Sequence, residues 1–240
     1  MPSSPTIEAL ANARASLLFP GATERIERAR ALIAHTLETY PGRVALSVSF
    51  GGASGMVLLD LTLRVDAQAR VFFVDTELLF PETHALIRRV EDRYGIVVDA
   101  VRPPLSVAGQ ALAHGDALWS RDPDACCALR KVEPLRAYLR DADAWMTGTR
   151  REQSATRAQL ARVGWDATSQ VVKVAPLADW SSDDVWAYIA AHGVPVNALL
   201  HDGYRSIGCS HCTARGDANG AERDGRWAGF AKTECGIHLG

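Results

Sequence analysis

No stretch of this 240-residue sequence approaches the roughly 20 uninterrupted apolar residues of a membrane span. The opening MPSSPTIEALANARAS lacks the basic-then-apolar pattern of a secretory leader. Net charge is scarce as well: 26 Lys and Arg against 28 Asp and Glu leave -2, with a pI near 6.4. Such a balance gives no general attraction for nucleic acid or an anionic membrane, so neither is expected as a partner and the cytoplasm is the expected setting. Cysteine is sparse, with five residues at positions 126, 127, 209, 212 and 235. Cytosolic thiols stay reduced unless they bind metal or do redox chemistry, and five divides naturally into four plus one.

Nearly half of the residues are apolar, enough to bury a substantial core in one domain with appendages. Residues 23–38 place Ile26, Ala29, Ile33 and Leu37 on one face, the period of an amphipathic helix, and residues 1–40 read as an N-terminal helical arm. RVALSVSF (43–50), RVFFVD (70–75), IVVDAV (96–101), AWMTGT (144–149) and QVVKVA (170–175) are short, apolar runs expected as strands. Between them lie helical stretches, among them one opened by Pro81 and stopped by Gly95, and a last one capped by Ser181 and Ser182 and ended by Gly193. Continuous apolar strands alternating with helices predict an α/β fold, a doubly wound parallel sheet over residues 41–212. Ligands of such sheets bind beyond the carboxyl ends of the strands, here segments 49–55, 75–80 and 148–157. From about residue 213 the composition turns to Gly, Ala and charge, and 213–240 is expected to be a mobile C-terminal tail.

Cys126-Cys127 and Cys209-x-x-Cys212 come from distant segments, and two such pairs can close either a zinc site or an iron-sulfur cluster. Neighbouring cysteines strain a disulfide and fit one small ion poorly, whereas the separate irons of a [4Fe-4S] cube can take adjacent thiolates, so the spacing favours the cluster. Four buried, unliganded thiols are the bland alternative. His211 reads as a neighbour of the cysteines rather than a ligand. SFGGASG (49–55), between strand and helix, suits an anion: glycines let backbone N–H groups approach oxygen, and the helix N-terminus favours negative charge. Ordinary tight turns use glycine too, and no Gly-Lys-Ser/Thr of a Walker loop is present. Arg150, Arg151 and Arg157 follow a strand end and could bind sulfate or phosphate bidentately, although a solvated helix face accounts for some of them. Arg223 and Arg226 add cations to the tail, and Cys235 sits near Lys232 and His238. A tail bearing cations and a thiol suggests a lid over an anion.

Together DTELLFPET, CCALRKVEPL, TGTRREQS, PLADWSSDDVWAYI, PVNALLHDGYRSIGCSHCT, ERDGRW and the terminal ECGIH resemble the assimilatory sulfonucleotide reductases, in the cluster-bearing branch that reduces adenosine 5'-phosphosulfate (APS). The resemblance runs from about residue 43 to the end. It implies an adenine-nucleotide alpha hydrolase-like fold and a [4Fe-4S] cluster on Cys126, Cys127, Cys209 and Cys212. It also implies thioredoxin-dependent reduction of APS to sulfite and AMP, in sulfate assimilation and cysteine biosynthesis, with Cys235 as the nucleophile that carries an S-sulfocysteine. Lys131 is then expected between cluster and sulfate, and Arg157, Arg223, Arg226 and His238 match positions around the phosphosulfate. Val74, Thr76 and Gly148 match positions lining the nucleotide, and Ser49, Gly51 and Gly52 belong to the phosphate loop.

Two departures stand out. Many relatives have GAED where this chain has Gly52-Ala53-Ser54-Gly55, and DTGRL where it has Asp75-Thr76-Glu77-Leu78-Leu79, so Glu77 receives no assigned contact. Rival readings are 3'-phospho-APS (PAPS) as substrate, an ATP pyrophosphatase that thiolates tRNA, and a zinc-stapled binding module. The electron donor could be thioredoxin or glutaredoxin, and assembly into a homo-oligomer is left open.

Overall fold

The computed structural model describes residues 21–217 and 222–237. Helix α1 (Ala22–Thr39) is followed by strand β1 (Val44–Ser47), α2 (Ala53–Val65), β2 (Val71–Val74), α3 (Pro81–Tyr94) and β3 (Asp99–Val101). Short helices α4 (Val107–His114), α5 (Leu118–Arg121) and α6 (Pro123–Cys127) lead through a π-helical turn (Ala128–Val132) into α7 (Glu133–Leu139). Strands β4 (Ala144–Thr147), β5 (Val163–Asp166) and β6 (Val171–Val174), then α8 (Ser182–His192), complete the regular elements. The expected helix boundaries at Pro81, Gly95, Ser181 and Gly193 are present, with Gly95 and Gly193 in the left-handed conformation that ends a helix.

The six strands run in the order β3-β2-β1-β4-β6-β5, parallel except for β5 against β6. The expected parallel sheet is present, with one antiparallel strand, β5, added at its edge. Val163, Gly164 and Trp165 are exposed, so β5 has no buried apolar face from which a sequence pattern could announce it. The hairpin is closed instead by Asp166, whose Oδ1 accepts from the N–H groups of Thr168 and Ser169 at 3.1 and 2.8 Å. Residues 151–157, read as a helix face, form two 3-10 turns, Arg151–Gln153 and Ala155–Arg157.

Both faces of the sheet are covered. On one, α1, α2, α3 and α8 bury a large cluster including Ile33, Leu59, Val90 and Tyr188; on the other, Leu135 and Leu139 of α7 cover Ala45, Phe72 and Trp145. Helix α1 is therefore built into the core through Ile26, Ala29 and Ile33 rather than standing apart as an arm; residues 1–20 lie outside the described part. Among the described residues no helix is long and apolar enough to cross a membrane. Strand order reverses between β1 and β4, and the crevice beyond that reversal is where ligands of such sheets bind.

One buried carboxylate ties three helices of the larger face. Asp60 of α2, wholly buried, accepts from Tyr94 Oη at 2.8 Å, Tyr188 Oη at 2.7 Å and Arg64 Nε at 2.6 Å. Burial first, and then the Asp60 charge, hold the Tyr188 hydroxyl protonated far above its ordinary range. Tyr188→Phe removes a hydrogen bond to a buried charge and is expected to cost about 1.5–3 kcal/mol in urea denaturation.

Candidate active site and thiol cluster

The loop after β1 is shaped by a residue whose conformation its type disfavours. Phe50, wholly buried, adopts φ 54, a left-handed conformation uncommon for a non-glycine residue, and Asn197 Nδ2 donates to its carbonyl at 3.0 Å. The turn delivers Gly51 and Gly52 to the start of α2, for which Gly52 is the N-cap. Gly51 packs so closely on the Ile207 carbonyl that any Cβ would collide with it, and its own carbonyl accepts from Ile207 N–H at 3.2 Å. After β4, a Cβ on Gly148 would lie 2.9 Å from the Gly55 backbone. Glycine at both positions lets two strand ends and the 206–208 segment close around one space.

That space is a cavity of about 200 Å³. Ser49, Gly52, Val74, Thr76 and Gly148 line it; Gly51 supports its wall from behind. Phe72, Phe73, Leu79 and Leu135 supply an apolar side, while Lys131, Arg157, Arg223 and Arg226 bring four cations and Cys235 a thiol. Such a mixture suits an aromatic base joined to an anion. His238, expected beside them, lies outside the described residues.

Lys131 owes its place to the π turn. Pro134 has no N–H to give the Arg130 carbonyl, and its ring would crowd it. The chain widens, with Glu133 N–H bonding the Ala128 carbonyl five residues back. Arg130 and Lys131 are both buried as a result. Burial pulls the Lys131 ammonium down and Arg226 adds to that, but charge on Cys209, Cys235 and Cys127 outweighs both and holds it above its ordinary value.

Arg130 lies behind the wall. Its guanidinium donates to the Thr76 carbonyl at 2.7 Å, Gln110 Oε1 at 3.3 Å and Glu77 Oε2 at 2.6 Å. Glu77, without an assigned contact in the sequence, thus supplies the countercharge of a buried arginine, and does so from a left-handed conformation, φ 56. Arg150 is likewise buried behind the phosphate loop: Nε donates to Ser54 Oγ at 2.8 Å, Nη1 to the Trp180 carbonyl at 3.1 Å and Nη2 to Glu222 Oε2 at 2.7 Å. Arg151 turns away, to the Leu160 carbonyl. Of the three arginines after β4, Arg157 alone lines the cavity.

The other four cysteines meet beside the cavity. Asp122 caps α6 by accepting from Ala125 N–H at 2.9 Å, with Pro123 in the first turn, which fixes Cys126 and Cys127. Segment 209–212 is strapped to the loop after β2 by Ser210 N–H on the Leu78 carbonyl at 2.8 Å, and the rings of Trp119 and His211 stack at 4.3 Å. Gln110 Nε2 approaches Cys126 Sγ at 3.9 Å, and Thr76 Oγ1 lies 3.3 Å from Cys209 Sγ. Burial raises Cys126 and Cys212 and pushes the Cys127 thiol up to about 11. Burial also acts to raise Cys209, but Lys131, the Thr76 hydrogen bond and Arg226 overcome it and leave this thiol below its ordinary value. Cys126, Cys127 and Cys212 each feel the charge of Cys209. Among the described residues, no three His, Cys, Asp or Glu side chains are gathered tightly enough for a single metal ion.

The tail is folded down. Trp227 is buried, its backbone N–H donating to the Cys212 carbonyl at 3.1 Å, and Ile237 packs on the smaller core cluster. These are apolar anchors that the Gly-, Ala- and charge-rich composition concealed. Gly208 leaves room for the Arg226 guanidinium, which any Cβ there would strike. Lys232 pairs with Asp124 instead of with Cys235. Glu234, overlooked in the sequence, is buried against Arg157, although the ECGIH run already put an acid beside the thiol. Arg223 Nε is buried with no hydrogen-bond partner among the described residues, and burial together with the nearby Arg157 lowers the pKa of this guanidinium.

A phosphoadenosine phosphosulfate reductase domain model matches residues 43–215. The chain belongs to this reductase family. It is 44% identical over 201 residues to adenosine 5'-phosphosulfate reductase 2 of Bacillus subtilis (strain 168), covering 83% of this chain and 85% of that one. It is 41% identical to the adenosine 5'-phosphosulfate reductase of Bacillus anthracis over 88% of this chain and 93% of that one. Among solved structures, the phosphoadenylyl-sulfate reductase of Candida auris, a phosphate complex, superposes with a TM-score of 0.68 at 30% identity, over 88% of this chain and 99% of that one. The Candida glabrata FMN adenylyltransferase shares the fold alone, with a TM-score of 0.64 at 16% identity over 95% of this chain and 85% of that one. The fold is the adenine-nucleotide alpha hydrolase-like fold.

Glu77→Ala leaves Arg130 buried without its carboxylate. Because Glu77 is over a third exposed, the expected loss is about 2–4 kcal/mol, below that of a fully buried pair. Glu77→Gly removes the same charge but accepts the left-handed turn, and is expected to be milder than Ala by up to about 1 kcal/mol in chemical denaturation.

Proposed function

We propose that this chain reduces APS to sulfite and AMP, with Cys235 as nucleophile and a thioredoxin or glutaredoxin as electron donor, as a step of sulfate assimilation. The observation that carries the reading is the cavity beyond β1 and β4, where Cys235 shares one wall system with Lys131, Arg223 and Arg226 in a chain of the reductase family. AMP fits the apolar side and the phosphate loop, and the sulfate faces the cations.

The Cys235 thiolate attacks the sulfur of APS, forming an S–S bond as the S–O bond to phosphate breaks. The electron pair leaves on AMP, and an S-sulfocysteine remains. Lys131 and Arg226 counter the charge that gathers on the departing phosphate. A thiolate of the donor then attacks the Cys235 sulfur and sulfite departs. The donor's second thiol resolves the mixed disulfide, so that the donor dithiol is oxidised by two electrons and Cys235 is restored.

Cys126, Cys127, Cys209 and Cys212 would hold the [4Fe-4S] cluster. Their convergence from α6 and the 209–212 turn, with sulfur as the only donor type offered by all four, fits such a group. When bound it supplies an electrostatic environment beside Lys131, while the electrons come from thiols. PAPS is the second reading, favoured by the likeness to the Candida auris phosphoadenylyl-sulfate reductase; the APS reading rests on relatives of higher identity.

Anaerobically purified protein with thioredoxin is expected to release sulfite from APS in strong preference to PAPS, with about four irons per chain. PAPS preference would move the specificity, and zinc without sulfite from either would overturn the reading. Cys235→Ser should abolish turnover while retaining iron and APS binding. Lys131→Ala should depress the chemical step more than affinity, seen as a larger fall in kcat than rise in KM. Single-turnover incubation with APS and no donor should add one sulfonate to the Cys235 peptide by mass spectrometry.

A further inference from the structure

Arg157 is expected, on family resemblance, to face the phosphosulfate. In the structure its fork is already filled. Nε and Nη2 donate to the two carboxylate oxygens of Glu234 at 2.9 and 2.8 Å, and Nη1 donates to Gln153 Oε1 at 2.6 Å. Glu234 also lies 3.2 Å from Arg223 Nη2, and accepts from Ser154 Oγ and Thr156 Oγ1 at 3.3 Å each. A carboxylate only 7% exposed, held bidentately by one arginine and flanked by a second, occupies a built anion site.

The residue after it is Cys235, which lines the cavity. Gly236, at φ 85, then turns the chain so that Ile237 reaches the smaller core cluster. The thiol is thus suspended between an ionic anchor and an apolar one, one residue to one side and two to the other.

We infer that Glu234 is the latch of the C-terminal segment: it positions Cys235 at the cavity by filling the Arg157–Arg223 fork, and Arg157 is the receptor for the tail rather than for the substrate. The substrate's anion is left to Lys131, Arg226 and the unfilled Nε of Arg223. Glu234 is accordingly a positioning residue, and its effect passes through Cys235. The latch itself needs no assumption about the reaction; its catalytic consequence rests on the function proposed above.

The test measures how fast Cys235 in the folded full-length chain reacts with a maleimide borne on a polymer chain much larger than the nucleotide the cavity is proposed to hold, in the absence of any nucleotide. Labelling is followed on the Cys235 peptide by mass spectrometry. Glu234→Ala is expected to label at least about tenfold faster than the parent chain, because an unpartnered buried arginine no longer holds the tail. Arg157→Ala should do the same, and the double variant should be no faster than either single one, since both remove one interaction. Glu234→Gln, isosteric but uncharged, should fall between, and Glu234→Asp should restore part of the protection. Labelling of Glu234→Ala within twofold of the parent, or independent, multiplying effects of the two substitutions, would overturn the latch.

Two further readouts separate it from general loss of structure and from the reaction. Thermal unfolding of Glu234→Gln should stay within a few degrees of the parent, because the sheet does not depend on the tail. AMP together with inorganic sulfate, which cannot sulfonate the thiol, should leave Cys235 of the parent protected. Faster labelling with the pair would mean that a bound anion evicts Glu234 and that Arg157 belongs to the substrate. If the chain released no sulfite from APS or PAPS, the labelling result in nucleotide-free protein would still decide the latch.

Discussion

Positive charge confined where water is scarce governs this molecule. Lys131, Arg157, Arg223 and Arg226 border one cavity, and two further arginines, Arg130 and Arg150, are buried just behind it. Confinement of this kind is tolerable only where each cation finds a partner, and the partners are graded. Arg130 and Arg150 are saturated by Glu77, Glu152, Glu222 and backbone carbonyls, which makes them structural. Arg157 is saturated by the tail together with Gln153. Arg226 donates Nε to the Cys212 carbonyl, Arg223 keeps Nε unpartnered among the described residues, and Lys131 has only cysteine thiols as the groups that raise its pKa. The unsatisfied end of this gradient is the place where an incoming anion gains most.

The sheet topology decides where the gradient is set up. At the reversal between β1 and β4, one strand end supplies the phosphate loop and the other supplies Gly148, and they touch because Gly148 carries no side chain to strike the Gly55 backbone. Segment 206–212 then lies across the loops after β1 and β2, bonded to Gly51 on one side and Leu78 on the other. The same segment carries Cys209 and Cys212. Nucleotide wall and thiol cluster are therefore a single construction, with Thr76 belonging to both through its hydroxyl beside Cys209.

Much of this was legible from residue type and spacing. Five of the six strands, the glycine loop, the doubled cysteine and the terminal thiol all carry local signals: apolar runs, glycines after a strand, or a spacing that one small ion cannot use. What stayed hidden depends on contacts that spacing does not encode. Strand β5 is exposed and contains glycine, so it has neither alternation nor a buried run. The left-handed Phe50 and Glu77 sit where sequence rules ask for glycine, and are held by Asn197 and Arg130 from far along the chain. The π turn could have been suspected from Pro134, but its consequence, burying Arg130 and Lys131 side by side, is a property of the packed state. The Glu234–Arg157 pair joins residues 77 positions apart, and only folding reveals which arginine the acid takes.

The tail illustrates why the anchor nearest the thiol is ionic. In the proposed reaction Cys235 serves two partners of very different size: a nucleotide inside a cavity of about 200 Å³ and a protein dithiol that cannot enter it. An anchor buried like Trp227 suits the base of the tail, because apolar burial is insensitive to what occupies the cavity. An anchor at the tip must hold the thiol during the first step and release it for the second, and a charge pair can do both, because its strength depends on the charge around it. With substrate present, the added negative charge falls on Lys131 and Arg226 and leaves the Arg157 pair intact. After AMP leaves, a sulfonate on Cys235 places new negative charge one residue from the Glu234 carboxylate. Two like charges then share one arginine fork, which weakens the latch at the stage of the cycle when the intermediate has to meet its reductant.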